Sequence, residues 1–325
     1  MTMTFEPILL TPAYRGGALT PWGGDRLKTL YGKDIPDEHT GEALEFSALP
    51  GLESRDPEGT PISGLIARCG ADLLGSDVTG EVPLLLKLID ARQDLSVQVH
   101  PDDAYAARVE GKQGKTEAWI ILSAGEGARI VYGLKQGVTL DELRDASERG
   151  QGVEDLLNYQ PVRPGDVYFI PSGTVHAIGA DIVLYEIQQS SDVTYRFYDW
   201  NRRDRNGNAR ELHLKKALDV VNMAFVPQRA AETVLSDDGR GTVARVLDTR
   251  YFGTLRYDNA NGARLPRDGR RFGLLTAVTD GELRFEGGSL PLKAGRTALI
   301  PAACGDVCLY GGRFLYSYPV TERDQ

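Results

Sequence analysis

The stretch Gly165-Asp166-Val167-Tyr168-Phe169-Ile170-Pro171-Ser172-Gly173-Thr174-Val175-His176 decides the fold. A glycine turn opens it, a short run of β-branched and aromatic residues reads as a strand, and a proline closes it. A second turn through Gly173 delivers His176 at a strand end, where a rigid scaffold can aim an imidazole nitrogen inward. A lone histidine there also suits a purely structural role, so the neighbouring strands carry the argument. Residues 95–100 alternate, with Leu95, Val97 and Val99 on one face and Ser96, Gln98 and His100 on the other, because strand side chains repeat every two residues. Residues 114–122 begin polar at Gly114-Lys115-Thr116-Glu117 and turn apolar from Ala118, which places Lys115 and Glu117 on a common face. Together His100, His176, Glu117 and Gln98 offer two imidazoles, a carboxylate and an amide oxygen. That donor set suits zinc with a position left for water or substrate, and manganese or iron is chemically compatible with it.

Outward from this constellation the chain reads as β-rich. Its 325 residues include 37 glycines, and short apolar runs are punctuated by Gly, Pro, Asp and Asn. Helices are expected at residues 102–109, at 140–149, where Thr139 and Glu142 form a capping-box pattern, and near 213–222. They interrupt the strands without alternating with them, which argues for barrels or sandwiches with inserted helices and against a doubly wound parallel sheet. The polar segment 229–240 is the most linker-like, with strand-like runs resuming at Val243, and it predicts a domain boundary near residue 230, giving units 1–230 and 231–325. A weak internal repeat supports the division: residues 164–171 resemble 293–301, each a glycine turn, a short strand and a proline. The offset that reaches His176 in the first copy reaches Asp306 in the second, so metal chemistry is expected only in the first.

A formal net charge of -9 provides no global basic field for nucleic acid or anionic lipid, so a phosphorylated substrate would need a local basic pocket. Residues 1–17 lack a basic leader followed by an apolar core, and no run of eighteen apolar residues occurs, so a soluble cytoplasmic protein is expected. Cys69, Cys304 and Cys308 are too few and too irregular for a disulfide framework, and are read as small hydrophobes. The sequence leaves the oligomeric state open between monomer and homodimer.

At the residues just described the chain resembles the cupin superfamily, whose second motif runs Gly, five residues, Pro-x-Gly-x-x-His and is matched from Gly165 to His176. The first motif takes the variant Gln98-Val99-His100 with Glu117 seventeen residues on, and this variant resembles the type I mannose-6-phosphate isomerases in their shorter, bacterial form. The segment 185–200, with Glu186, Asp192 and Arg196, looks like the active-site segment of that form. The resemblance runs from Trp22-Gly23-Gly24 through Trp200 and weakens beyond. It implies two jelly-roll cupin barrels with a few inserted helices, one zinc in the first barrel, and a degenerate cupin-like second unit. It also implies interconversion of mannose 6-phosphate and fructose 6-phosphate through a cis-enediol.

By that resemblance Gln98, His100, Glu117 and His176 are the metal ligands and Arg196 is the catalytic arginine, a permanently charged donor fork suited to an enediolate. Lys115, Asp192 and Glu186 are expected to serve ring opening or proton transfer, with no single base distinguished among them. Lys87 interrupts the apolar run 82–89, and an unpaired buried ammonium is costly, so an anion is expected beside it. With Ser96 it resembles the family's phosphate-binding pair, and a salt bridge to a structural carboxylate is the alternative. His39 and His213 are read as structural or exposed, Trp22 and Trp119 mainly as packing, and residues 202–207 as a solvated loop. The competing functions are another metal-dependent cupin enzyme, of oxygenase or epimerase type, and a non-catalytic sugar-phosphate-binding cupin. Gln98, Lys115 and Arg196 together have an evident purpose in the isomerase and none in an oxygenase.

Overall fold

The mainly apolar run around Lys87 becomes a strand buried along its whole length, as a strand covered on both faces must be. It lies near the middle of a layered, mainly β structure. The computed structural model describes residues 5–203 and 206–324. Strands of the first part are β1 Ile8–Leu9, β2 Ala13–Arg15, β3 Glu42–Phe46, β4 Leu84–Ala91, β5 Val97–Val99 and β6 Glu117–Ala124. They continue with β7 Arg129–Leu134, β8 Leu157–Pro161, β9 Val167–Ile170, β10 His176–Ile178, β11 Ile182–Gln189 and β12 Tyr195–Tyr198. The remainder is β13 Thr233–Asp238, β14 Gly241–Asp248, β15 Phe252–Arg264, β16 Gly273–Ala277, β17 Gly281–Phe285, β18 Gly288–Leu292, β19 Thr297–Ile300 and β20 Val307–Pro319. Helices are α1 Arg26–Tyr31, α2 Ile62–Cys69, α3 Ala71–Leu74, α4 Asp103–Glu110, α5 Leu140–Arg149, α6 Val153–Leu156 and α7 Leu214–Val220.

Hydrogen bonding groups the strands into a six-stranded sheet, β2-β3-β4-β11-β6-β9, a five-stranded sheet, β12-β5-β10-β7-β8, and a nine-stranded sheet, β1-β19-β16-β20-β15-β14-β13 with the β17–β18 hairpin on β20. All named pairings are antiparallel. The period of two assigns each face of these sheets to a core. Ile89, Trp119, Ile121 and Leu184 meet Ile130, Tyr132 and Ile178 between the first two sheets. The intervening residues Leu86, Leu88, Ala118, Ile120, Tyr185 and Ile187 turn the other way and pack on α2, α3 and on Phe252, Phe272, Leu274, Leu299 and Leu315 of the nine-stranded sheet. Val97, Val99, Ala177 and Phe197 back the five-stranded sheet onto Leu143, Ala146, Val153 and Ala217 of α5, α6 and α7. The nine-stranded sheet gathers a further core of its own around Leu275, Leu283, Ile300 and Phe314.

Two of the expected helices have the caps the sequence announces: Asp102 accepts from Tyr105 N–H at α4, and Thr139 and Glu142 form a complete capping box at α5. The linker-like segment departs from expectation. Residues Thr233–Asp238 form a fully exposed strand, β13, on the edge of the nine-stranded sheet, so polarity there marks an edge facing water and not a break in the sheet. Near the other end of the chain, β1 joins the nine-stranded sheet by pairing with β19, a pairing across nearly the whole sequence that no local pattern announces. Cys69, Cys304 and Cys308 are free thiols. No helix among the described residues is long and apolar enough to cross a membrane.

Candidate active site

Between the first two sheets, the alternation that builds the core delivers polar side chains at one end of it. Register does the alignment: His176 pairs with Gln98, and Gln98 with Arg196, so three neighbouring strands present a row of side chains across the five-stranded sheet. On the facing sheet Trp119 pairs with Glu186 and Glu186 with Lys87, a second row, with Glu117 two residues before Trp119.

His100, Glu117 and His176 converge, their ligating atoms all within 4.8 Å of one another, and all three are buried. Glu117 Oε2 lies 3.4 Å from His100 Nε2, and Glu117 Oε1 lies 3.4 Å from His176 Nε2. Each imidazole is oriented from behind: His100 Nδ1 meets Val193 O at 3.0 Å and His176 Nδ1 meets Thr174 O at 2.8 Å. A carbonyl can only accept, so Nδ1 carries the proton and Nε2 keeps its lone pair for the centre, the arrangement that fixes a metal-ligating histidine. The side-chain amide of Gln98 sits 3.3 Å from His176 Nε2, and exchanging its nitrogen for its oxygen brings an acceptor to the same place. Neither buried oxygen of Glu117 accepts a well-formed hydrogen bond, although Lys115 Nζ approaches Oε2 at 2.9 Å. Two orphaned carboxylate oxygens facing two imidazole lone pairs are what a divalent cation satisfies, and the residues present fit one. Burial and the adjacent Lys115 charge push His100 down to about 3. Burial opposes ionisation of Glu117, but Lys115 and His100 outweigh it and hold the carboxyl well below its usual range.

The surrounding cavity, 310 Å³, is lined by Lys87, Ser96, Gln98, Lys115, Glu186, Asp192 and Arg196, together with Arg15, Trp22, Glu42 and Arg210. The fold therefore brings every sequence-predicted site residue either to this wall or into the buried triad. Lys87 has found its anion twice over, with Glu42 at 3.3 Å and Glu186 at 3.1 Å. Burial works against its charge, yet these two carboxylates raise its pKa above the ordinary lysine range. Glu186 also accepts from Trp119 Nε1 at 2.9 Å, and burial and the Glu117 charge push its carboxyl upward. Asp192 is half-exposed at the rim and pairs with Lys112 at 2.6 Å, which outweighs burial and holds it ionised below its usual range. Arg196 Nη1 donates to Glu211 O at 2.7 Å, and burial lowers its pKa.

The match to known proteins runs over nearly the whole chain. A family profile, Phosphomannose isomerase type I, catalytic domain, matches residues 15–124. Mannose-6-phosphate isomerase ManA of Bacillus subtilis is 38% identical over 316 residues, 95% of this chain and 97% of that protein. The mannose-6-phosphate isomerase of Streptococcus mutans is 38% identical over 86% of this chain and 88% of its own. The chain belongs to the type I phosphomannose isomerases. The crystal structure of the Bacillus subtilis mannose 6-phosphate isomerase superposes with a TM-score of 0.88 at 34% identity, covering 97% of this chain and 99% of that one. A mannose 6-phosphate isomerase bound with zinc and yttrium shares the fold at a TM-score of 0.75, with 18% identity over 97% of this chain and all of that one.

As a type I phosphomannose isomerase the chain is an enzyme, an aldose–ketose isomerase, and its site contains residues that sequence reasoning passed over. Glu42 was legible in principle, as an acid inside the apolar strand Glu42–Phe46, the same kind of signal that singled out Lys87. Arg15 and Arg210 had no such signal. Trp119 does more than pack, since its indole N–H holds Glu186 and its ring meets His176 edge-on at 5.4 Å. His213 is partly buried against Arg196: its Nδ1 accepts from Arg196 N–H at 3.1 Å and its own main-chain N–H donates to Arg196 O at 2.8 Å. Asp204 and Arg205 of the basic loop lie outside the described residues.

Proposed function

We propose that this isomerase interconverts mannose 6-phosphate and fructose 6-phosphate through a cis-enediol, with one zinc ion per chain held by Gln98, His100, Glu117 and His176. The observation that carries the reading is the buried triad aligned in register with Gln98 and Arg196 on one cavity wall. Bound there, zinc supplies a Lewis acid for the carbonyl and neighbouring hydroxyl oxygens of the open-chain sugar. The rest falls to the chain's own residues. Arg196, unable to lose its proton, offers fixed donors to the enediolate oxygen. In the aldose-to-ketose direction a base removes the C2 proton and a proton is returned to C1, with no net redox change.

Lys115, Asp192 and Glu186 are the candidates for that proton and for ring opening. Glu186 is buried and its carboxyl is pushed upward, the direction that favours a general acid. Lys115, within 3.0 Å of His100 Nε2, reaches the same region from the other side. Lys87 and Ser96 bind the substrate's phosphate. The enzyme is placed in the cytoplasm, in keeping with a chain in which no helix among the described residues is long and apolar enough to cross a membrane.

The test is conversion of mannose 6-phosphate by purified protein, before and after chelation and after returning zinc. Loss with chelator and recovery with zinc is the expected result. Absence of turnover by zinc-loaded protein would reject the reading in favour of a binding module, which calorimetry with the sugar phosphate would then examine. Single replacements Lys115→Met, Asp192→Asn and Glu186→Gln should each leave zinc bound, and at least one should lower kcat by about a hundredfold or more, as loss of a general acid or base does. Three near-wild-type rates would remove all of them from the proton path.

A further inference from the structure

Resting on that reading, we propose that Arg210 is a further substrate-binding residue: held by Asp199, it grips the phosphate group together with Lys87 and Ser96. The first ground is charge. Lys87 is bracketed by the carboxylates of Glu42 and Glu186, so a dianion arriving at Lys87 alone meets no net attraction. Arg15, the next cation on the wall, is tied to Glu42 as well, at 3.3 Å. A dianion at this end of the cavity needs another cation.

Arg210 is built to be that cation. Arg210 lines the same cavity as Lys87, Ser96 and Arg196. Nε donates to Asp199 Oδ2 at 2.7 Å and Nη2 to Asp199 Oδ1 at 2.5 Å, a two-point grip that fixes the plane of the fork. Asp199 is itself buried and shared: Arg202 Nη2 donates to Oδ1 at 2.6 Å, while Arg202 Nη1 donates to Asp94 O at 2.7 Å. Among the described residues, the two guanidinium groups of Arg202 and Arg210 thus share the one carboxylate of Asp199, and Arg210 is the member of the pair that lines the cavity.

Ser96 lines the same cavity. It immediately precedes β5, and Asp199 immediately follows β12, two strands that pair antiparallel as far as Tyr198 opposite Val97. The serine hydroxyl, the Lys87 ammonium and the Arg210 fork are then three kinds of donor for one tetrahedral anion, and a planar fork binds phosphate oxygens two at a time where a lysine acts as a point charge.

The experiment compares wild type with Arg210→Ala, Arg210→Lys and Asp199→Asn in the zinc-loaded enzyme. It reads kcat and KM for mannose 6-phosphate and competitive inhibition by inorganic phosphate. Arg210→Ala is expected to raise both KM and the phosphate inhibition constant by about ten- to a hundredfold, the factor for one charge-assisted hydrogen bond, with a smaller effect on kcat. Arg210→Lys should recover only part of the loss, and Asp199→Asn should shift the phosphate constant in the same direction with zinc content unchanged. An unchanged phosphate constant in Arg210→Ala overturns the proposal, and a raised KM beside it would place Arg210 on the sugar instead. Should Arg210→Ala fail to fold, as judged by its melting curve, Arg210→Lys decides the matter through the same two constants. If wild type turns over no mannose 6-phosphate, the isomerase reading fails separately, and calorimetry with inorganic phosphate on wild type and Arg210→Lys still decides the role of Arg210.

Discussion

Glu117 stands between two neutral imidazoles and a lysine, and each neighbour asks something different of it. The histidines leave it no hydrogen-bond donor at Nε2, because their protons are committed at Nδ1 to Val193 O and Thr174 O. Lys115 is the neighbour that offsets its charge. Glu117→Gln keeps the volume and removes the charge, so the proposed zinc site would lose its only anionic ligand while Lys115 loses its counterion. Zinc content measured after dialysis should fall well below one per chain, with turnover falling in parallel. A fully loaded, active Glu117→Gln protein would show that Glu117 is not a ligand. At this scale the sequence was informative wherever a strand period or a spaced motif fixed the geometry, as for Gln98, His100, Glu117 and His176. It was silent for Arg210, Asp199 and His213, whose placement depends on how the irregular chain after β12 folds back on the strand. Lys87 is ion-paired with Glu42 and Glu186, and that is the reason the phosphate reading needs a further cation.

The element that carries His176 of the sequence motif into the buried triad is the bend between β9 and β10. Gly173 adopts φ +84, and a Cβ there would lie 2.9 Å from Val220 O and 3.0 Å from Asn222 Cβ. The bend is also tied at both main-chain groups, with Gly173 N–H donating to His100 O and Gly173 O accepting from Asn222 N–H, each at 2.8 Å. One glycine thus fastens the strand carrying His176 to the chain at His100 and to the end of α7. Gly173→Ala should cost about 1–3 kcal/mol from the left-handed backbone alone, and the close contacts add to that. The measurable outcome is a lower melting temperature together with weaker zinc retention, because His176 follows three residues later. A variant that melts lower but holds zinc as tightly as wild type would separate the bend from the site. Elements with a local signature were legible in the same way: the caps at Asp102 and Thr139 announced α4 and α5. The edge strand β13 was not, since an exposed strand and a linker share a polar composition, and only its pairing with β14 distinguishes them.

For the whole molecule, packing runs across the position near residue 230 that the sequence suggests as a boundary. Every site residue named above lies before it, yet the core behind the six-stranded sheet is completed by Phe252, Phe272, Leu274, Leu299 and Leu315 from beyond it. Tyr185, whose neighbour Glu186 faces the cavity, sends its hydroxyl the other way to Ser317 Oγ at 2.7 Å. The firmest tie is Lys33, fully buried, donating to Glu45 Oε1 at 2.6 Å and to Gly295 O at 2.7 Å across the two parts. An ion pair so deep gains little over an apolar pair of equal volume, but breaking it strands a charge. Lys33→Ala, which leaves Glu45 alone in the core, should therefore destabilise the protein by about 3–5 kcal/mol, whereas the double replacement Lys33→Met with Glu45→Leu should recover most of that loss. Chemical denaturation of the single and double variants measures both. If Lys33→Ala cost less than about 1 kcal/mol, the range of an exposed pair, the tie would be dispensable and the two parts could be joined by their apolar contacts alone. If the large loss is found and the double variant restores it, the loss belongs to the charge left stranded on Glu45, and an apolar contact joins the two parts at this point as well as the ion pair does.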